Sequence, residues 1–323
     1  MDGSINTIFN TYSIAARDPE SGQFGVAVQT HQMCVGVAVP WLKAGIGAVA
    51  TQSLTNLSFG PMGLAMLEEG VPAPKIVEAL VASDEGAKFR QVAVVDRNGK
   101  VGAFTGDNCI PEAGHNIGDG YSVQANMMTN DTVVPAMSEA YETAAGDLAT
   151  RMMAAMHAAQ HEGGDIRGMQ SAALKVVSGE VNSDGKQSSM RPVYDLRVDE
   201  HETPLLELDR LVRLRSAQII NDNGYQALEK GNIDEALDIW LRACTQAPEL
   251  EEMPFWHALT LADEHGEFER AIKILEPMLK KDPHRDHWID LIHRCQQCGV
   301  LENEGTGTKL LDLLNNYMFE NDE

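Results

Sequence analysis

Between Gly22 and Val198 the sequence returns repeatedly to short runs in which apolar and small residues alternate; after Pro204 that pattern stops. GQFGVAVQT (22–30), VGVAVPW (35–41), GIGAVATQS (45–53), YSVQANM (121–127), QSAALKVV (170–177) and VYDLRV (193–198) carry the two-residue period of a strand. RQVAVVDRNGKVGAFTG (90–106) reads as a hairpin, with Val92 and Val94 before Asn98-Gly99 and Val101 and Phe104 after it. Asn-Gly favours a two-residue turn. Helices are expected over GPMGLAMLEEG (60–70), APKIVEALVASDEG (73–86), 133–145 and 147–162, the first with Pro61 near its start and Gly70 at its end. Strands come in runs and helices in pairs, which points to antiparallel α+β layering and away from a doubly wound parallel sheet.

Beyond Pro204 the chain changes character. ETPLLELDRLVRLRSAQII is an amphipathic helix, and GNIDEALDIWLRACTQAP (231–248) is echoed by GEFERAIKILEPMLKKDP (266–283). Gly231 matches Gly266, Ala236 matches Ala271 and Pro248 matches Pro283. The period of 35 residues is close to the ~34 of tetratricopeptide helix pairs. Two visible units are fewer than the three or so that usually stand alone. The helical tail is therefore expected to lean on the rest of the chain or on another subunit, and a homo-oligomer is expected.

The charge balance removes several classes of function. A formal net charge of −23 repels phosphate backbones, so nucleic acid is a poor partner. No apolar run approaches the ~18 residues of a membrane helix. The start carries Asp2 and no Lys or Arg before Arg17, unlike a secretory signal. With no such signal and five scattered cysteines, the expectation is a cytoplasmic protein with reduced thiols.

Cofactor and metal motifs fail on context. Gly45 to Ala50 fits the letters of a dinucleotide fingerprint, but Pro40 interrupts the strand before it and strand continues after it, so no cofactor is expected. Cys295 and Cys298 form a C-x-x-C without a second pair, and His157 and His161 share a helix face without the neighbouring Glu of a metalloprotease, so no metal is expected. The polar loop GGDIRGMQSAAL is more informative. Asp165 and Arg167 precede Gln170 and Ser171 at a strand mouth, where an Arg can grip a substrate carboxylate or simply pair with the Asp. His115, Gln124 and Asn126 give GHNIGDGYSVQAN the same character.

TYSIAARDPESGQFGVAVQTH, VPWLKAGIGAVATQS, FGPMGLAMLEEG, AFTGDNCIPEAGH, GYSVQANMM, GGDIRGMQSAAL and YDLRVDEH together resemble the domain-of-unknown-function 1028 family. That family is similar in fold to N-terminal-nucleophile hydrolases. The resemblance implies a four-layer αββα sandwich of two antiparallel sheets over residues 11–215. A leader (1–10) precedes it, and a small all-α helical-repeat domain (216–323) follows. It also implies a nucleophile at the first residue of the first strand, Thr11, active once residues 1–10 are removed. The α-amine so freed would be the base, because the nitrogen behind Asn10 is otherwise an amide. Gln29, Thr30 and His31 end the next strand and can orient the nucleophile. Thr51 and Gln52 end another and can stabilise an oxyanion, with Asn126 nearby. Ser13, two residues on, is the backup nucleophile. The substrate would be a small amide or peptide, bound by His31, His115, Asp165, Arg167, Gln170 and Ser171. The alternative is a non-catalytic protein of this fold that binds a protein partner through its helical tail.

Overall fold

In a computed structural model, which describes residues 8–9, 11–180, 192–279 and 285–321, the chain divides into two compact units, Met1–Val212 and Arg213–Glu323. Of the expected leader, residues 1–7 and Asn10 lie outside the described residues. The expected domain boundary at 215 compares with a division between Val212 and Arg213, inside one long helix, Pro204–Glu229. No helix among the described residues is long and apolar enough to cross a membrane.

The first unit contains two antiparallel sheets. One has the order β1-β5-β6-β7, with β1 Ile8–Phe9, β5 Gly47–Leu54, β6 Arg90–Asp96 and β7 Val101–Thr105; β4 (Pro40–Lys43) also pairs with β5. The other has the order β11-β10-β3-β2-β9-β8. Its strands are β2 Thr11–Arg17, β3 Phe24–Thr30, β8 Gly114–Gly118, β9 Tyr121–Ala125, β10 Ser171–Val177 and β11 Tyr194–Val198. Between the sheets Ala15, Val26 and Val28 pack with Ala48, Ala50, Ala93 and Val95. Alternation sends Val49, Val92 and Val94 to the outer face of the first sheet. There they meet Phe59 and Leu67 of α1 (Phe59–Glu68) and Ile76 and Leu80 of α2 (Ala73–Ala82). α3 (Val133–Thr143) and α4 (Leu148–His161) lie against the second sheet. Asp147 caps α4 by accepting from Thr150 N at 2.8 Å. The expected α+β class with two antiparallel sheets and a helical C-terminal region is what forms.

Two local expectations change. Residues 35–37 form a 3-10 turn, not the start of a strand, because Cys34 takes a left-handed φ of 60° and Val35 N donates to Ser171 Oγ. In the β6–β7 connection only Gly99 has a positive φ, 77°. A two-residue Asn-Gly turn needs positive φ at both positions. Here Asp96 instead accepts from Asn98 N and Lys100 N with Oδ1, at 2.9 and 3.1 Å, and pins a longer turn.

The long helix α5 (Pro204–Glu229) leads into the second unit. α6 (Ile233–Gln246), α7 (Glu252–His265), α8 (Phe268–Leu279), α9 (Arg285–Gln297) and α10 (Thr306–Asn321) follow. The echoed stretches fall on α6 and α8, each preceded by a glycine in the left-handed region, Gly231 and Gly266. Pro283 lies outside the described residues. The core of this unit stacks His257 on Trp240, ring centroids 4.1 Å apart, and buries both completely. Asn221 Oδ1 can only accept, so His257 Nε2 carries the proton, and Nδ1 has no partner among the described residues.

Burial pushes the His257 pKa down to about 3. The unfolded chain therefore binds a proton below about 6.5 that the folded chain refuses, and stability is lost as pH falls from there toward 3. From pH 7 to 5 this group alone removes about 2 kcal/mol from the second unit. Urea titrations followed by tryptophan emission at the two pH values should show that loss, and His257→Gln should flatten the dependence.

Candidate functional site

At one end of the sandwich the inter-sheet core turns from hydrocarbon to amide. Gln52 (β5) and Gln91 (β6) come from the first sheet, and Ser13 (β2), Gln124 (β9) and Asn126, just past β9, from the second. All five are fully buried. Ser13 Oγ donates to Gln52 Oε1 and accepts from Gln124 Nε2, each at 2.6 Å. This holds the Gln52 carbonyl toward Ser13, so its Nε2 faces Thr11 O at 3.2 Å and Gln91 Oε1 at 2.7 Å. Asn126 reaches the same two acceptors from the other sheet: its backbone N donates to Thr11 O at 3.1 Å, and Nδ2 donates to Gln91 Oε1 at 2.8 Å. Gln91 Nε2 donates to Thr105 Oγ1 (2.9 Å), Gly114 O (3.0 Å) and Ala125 O (2.9 Å). The Thr11 carbonyl is thus gripped from both sheets, with Gln91 as the hub.

Thr11 is fully buried and opens β2, in register with Thr30 of β3, which in turn faces Ser171 of β10. The three stand in a row on the inner face. Beside that row lies the loop cluster singled out by its sequence. Asp165, 2% exposed, accepts from Arg167 Nη2 (2.7 Å), Arg167 Nε (3.0 Å) and His31 N (3.2 Å). Arg167 Nη2 also reaches Thr30 Oγ1 at 3.4 Å. Gln170 N donates to Thr30 O at 3.0 Å, and Ser171 Oγ donates to Gln32 O. His31 and His115 are exposed. His115 Nδ1 lies 2.8 Å from Thr105 Oγ1 and so joins the amide cluster through Gln91.

The register separates two expected residues from Thr11. Gln29 pairs with Tyr12, not Thr11, and paired residues share a face, so Gln29 turns toward the helix side of its sheet. Both ends of its amide are buried there without a partner among the described residues. The neighbouring Tyr12 hydroxyl donates to Gln160 Oε1; burial, and secondarily the charge of Asp165, pushes its pKa well up. Thr51 points to the outer face of β5 and donates to Asn56 O at 3.3 Å. Gln52 and Asn126 do converge on Thr11. Gln91 was missed, although a lone Gln inside an alternating apolar run, as in ATQS, RQVA and SVQA, is a signal that can be read.

Backbone strain gathers at the same end. Among the described residues, Cys34, Ser53 and Met127 are the non-glycine residues with positive φ, at 60°, 70° and 60°. Ser53 follows Gln52, Met127 follows Asn126, and Cys34 lies three residues after His31. Such outliers cluster where surroundings impose them, often at functional sites.

The fold and this cluster define an α+β protein with two facing antiparallel sheets and a buried amide site at one mouth. Residues 11–208 match a family of unknown function, DUF1028, and the chain belongs to that family. The crystal structure of a Silicibacter pomeroyi protein of the same family is 29% identical, with a TM-score of 0.56, over 63% of this chain and 88% of that one. No curated protein matches the sequence.

Gln91→Leu should leave several buried donors and acceptors unpaired at about 1–3 kcal/mol each, so a loss of about 3 kcal/mol or more is expected in urea unfolding of the first unit. Thr51→Val, on the outer face, should cost about 1 kcal/mol or less in the same measurement.

Proposed function

We propose that this protein is an amide hydrolase of the N-terminal-nucleophile type, with Thr11 as nucleophile after the bond before it is cut. The observation that carries the reading is the setting of Thr11. Ile8–Phe9 pairs in the first sheet, Thr11 opens a strand of the second, and amides from both sheets close on its carbonyl. A hydroxyl needs a base to become a good nucleophile, and a free α-amine with a pKa of about 7.7–8.0 suits that task near neutral pH. In processing, Thr11 Oγ1 attacks the Asn10 carbonyl carbon, the C–N bond breaks, and the nitrogen takes the proton to become the amine. Water then hydrolyses the ester. The same Oγ1 next attacks a small amide or peptide. Gln52 Nε2, held in place by Ser13 and Gln91 and 3.2 Å from the Thr11 carbonyl, is the side-chain donor assigned to the developing oxyanion in this reading. A donor of this kind is worth about 2.7–4 kcal/mol in the transition state.

A second reading, a non-catalytic protein that docks a partner on tetratricopeptide-like helices, is favoured by a groove of about 330 Å³ in the second unit, lined by Leu241, Cys244, Leu250, Ile274 and Met278. The intact mass of the purified protein separates the two. The hydrolase reading expects loss of residues 1–10, retained in Thr11→Ala and slower but present in Thr11→Ser. An Asn10–Thr11 bond that survives in fresh and aged wild-type protein removes it.

A further inference from the structure

The residues before Thr11 occupy a particular piece of strand edge. On the side of β5 away from β6, β4 covers Gly47 to Ala50, and Thr51 N donates to Val39 O. Beyond that point the edge is paired by β1, with Ile8 opposite Leu54 and Phe9 opposite Ser53, antiparallel. The next carbonyl along the chain, that of Asn10, is the one bonded to Thr11 N. The second and third residues on the acyl side of the bond to be cut, Phe9 and Ile8, therefore run along the end of β5, in extended form.

That edge is braced independently of β1. Arg90 Nη1 donates to Leu54 O, Arg90 Nε donates to Asp84 at 2.8 Å, and Asn56 Nδ2 donates to the same carboxylate at 2.9 Å. The Arg90 and Asp84 side chains are each 12% exposed. The brace consists wholly of residues after Thr11, so departure of the leader uncovers a strand edge that keeps its shape. The Leu54 and Ser53 carbonyls accept from Arg90 Nη1 and Thr55 Oγ1 and each keeps a second lone pair, and a strand edge with open backbone groups accepts an extended peptide by strand addition.

We infer that the Ser53–Leu54 edge is the substrate track, and that the substrate is a peptide bound in extended form by its acyl side, not an isolated small amide. The inference rests on Thr11 being a freed nucleophile, as proposed above. A peptide that follows the course of Ile8 and Phe9 brings its next carbonyl to the position of the Asn10 carbonyl. Thr11 Oγ1 then bonds to that carbon, the amide C–N bond breaks, and the leaving amine takes the proton. Water releases the peptide acid and restores the hydroxyl. The leader is in this sense the first substrate, and its sequence is a template for later ones.

The test uses the whole protein, with its mass recorded first. Three fluorogenic amides of 7-amino-4-methylcoumarin are compared: acetyl-Asn-Thr-Ile-Phe-Asn, the same peptide N-methylated at Ile and Phe, and acetyl-Asn alone. The methyl groups delete the backbone donors that a strand ladder uses. The expected result is a kcat/KM for the pentapeptide at least tenfold above that for acetyl-Asn, lost on methylation. If the processed protein cleaves all three alike, or cleaves none, the track is overturned. In the first of these cases the hydrolase reading stands. If the mass shows residues 1–10 still attached, the edge never opens and both proposals fall together.

Discussion

The hydrogen bonds that cross between the two sheets at Gln52, Gln91 and Asn126 hold the rest of the site in place. Over most of their facing area the sheets need only apolar volume, supplied by alanines on β5 and β6 against valines on β3. At one end that filling is replaced by amides, each able to donate and accept. A buried amide left unpaired costs about 1–3 kcal/mol, so the members of the cluster satisfy one another, Asn126 Oδ1 excepted, which is buried with no partner among the described residues. Ser13 fixes Gln52, Gln52 and Asn126 share the Gln91 carbonyl, and Gln91 spends its own donors on Thr105 and two backbone carbonyls. This mutual dependence makes the cluster rigid and fixes the backbone of Thr11 from two directions.

The same geometry decides the part played by the loop cluster. Arg167 places two hydrogen bonds on Asp165, whose carboxylate is shielded from water. The pair therefore acts first as a clamp. It holds the 163–170 loop against His31 N and Thr30, one strand away from Thr11. Arg167 is still 28% exposed along its side chain. Thr30 links the two clusters, since it is in register with Thr11 and receives both the Arg167 guanidinium and the Gln170 amide.

The second unit is built on different physics. Its largely aliphatic core includes an aromatic stack, with Trp240 on an uncharged His257 and edged by Tyr225. The family match ends at residue 208, close to where the first unit ends. The helical region lies outside the residues that the family model matches.

Much of this architecture was legible in the sequence. The two-residue alternation places β3, β5, β6, β9, β10 and β11 to within a few residues, and the 35-residue echo finds α6 and α8, because both signals are local and repeat along the chain. Thr11, Gln52 and Asn126 were also identifiable as strand-end polar residues. The face each side chain takes was not. Gln29 and Thr51 sit at strand ends as suitable as that of Gln52; pairing with Tyr12 turns Gln29 outward, and pairing with the outward-facing Val92 turns Thr51 outward. A one-residue change of register exchanges the two faces of a strand, and register is settled by partners far away in the chain. The sequence alone determined most of the strand and helix segments and where polar groups collect. Tertiary structure alone decided which of those groups meet, because the amides that reach Thr11 come from segments 41 to 115 residues away, Gln52 across the gap between the sheets and Asn126 from the neighbouring strand.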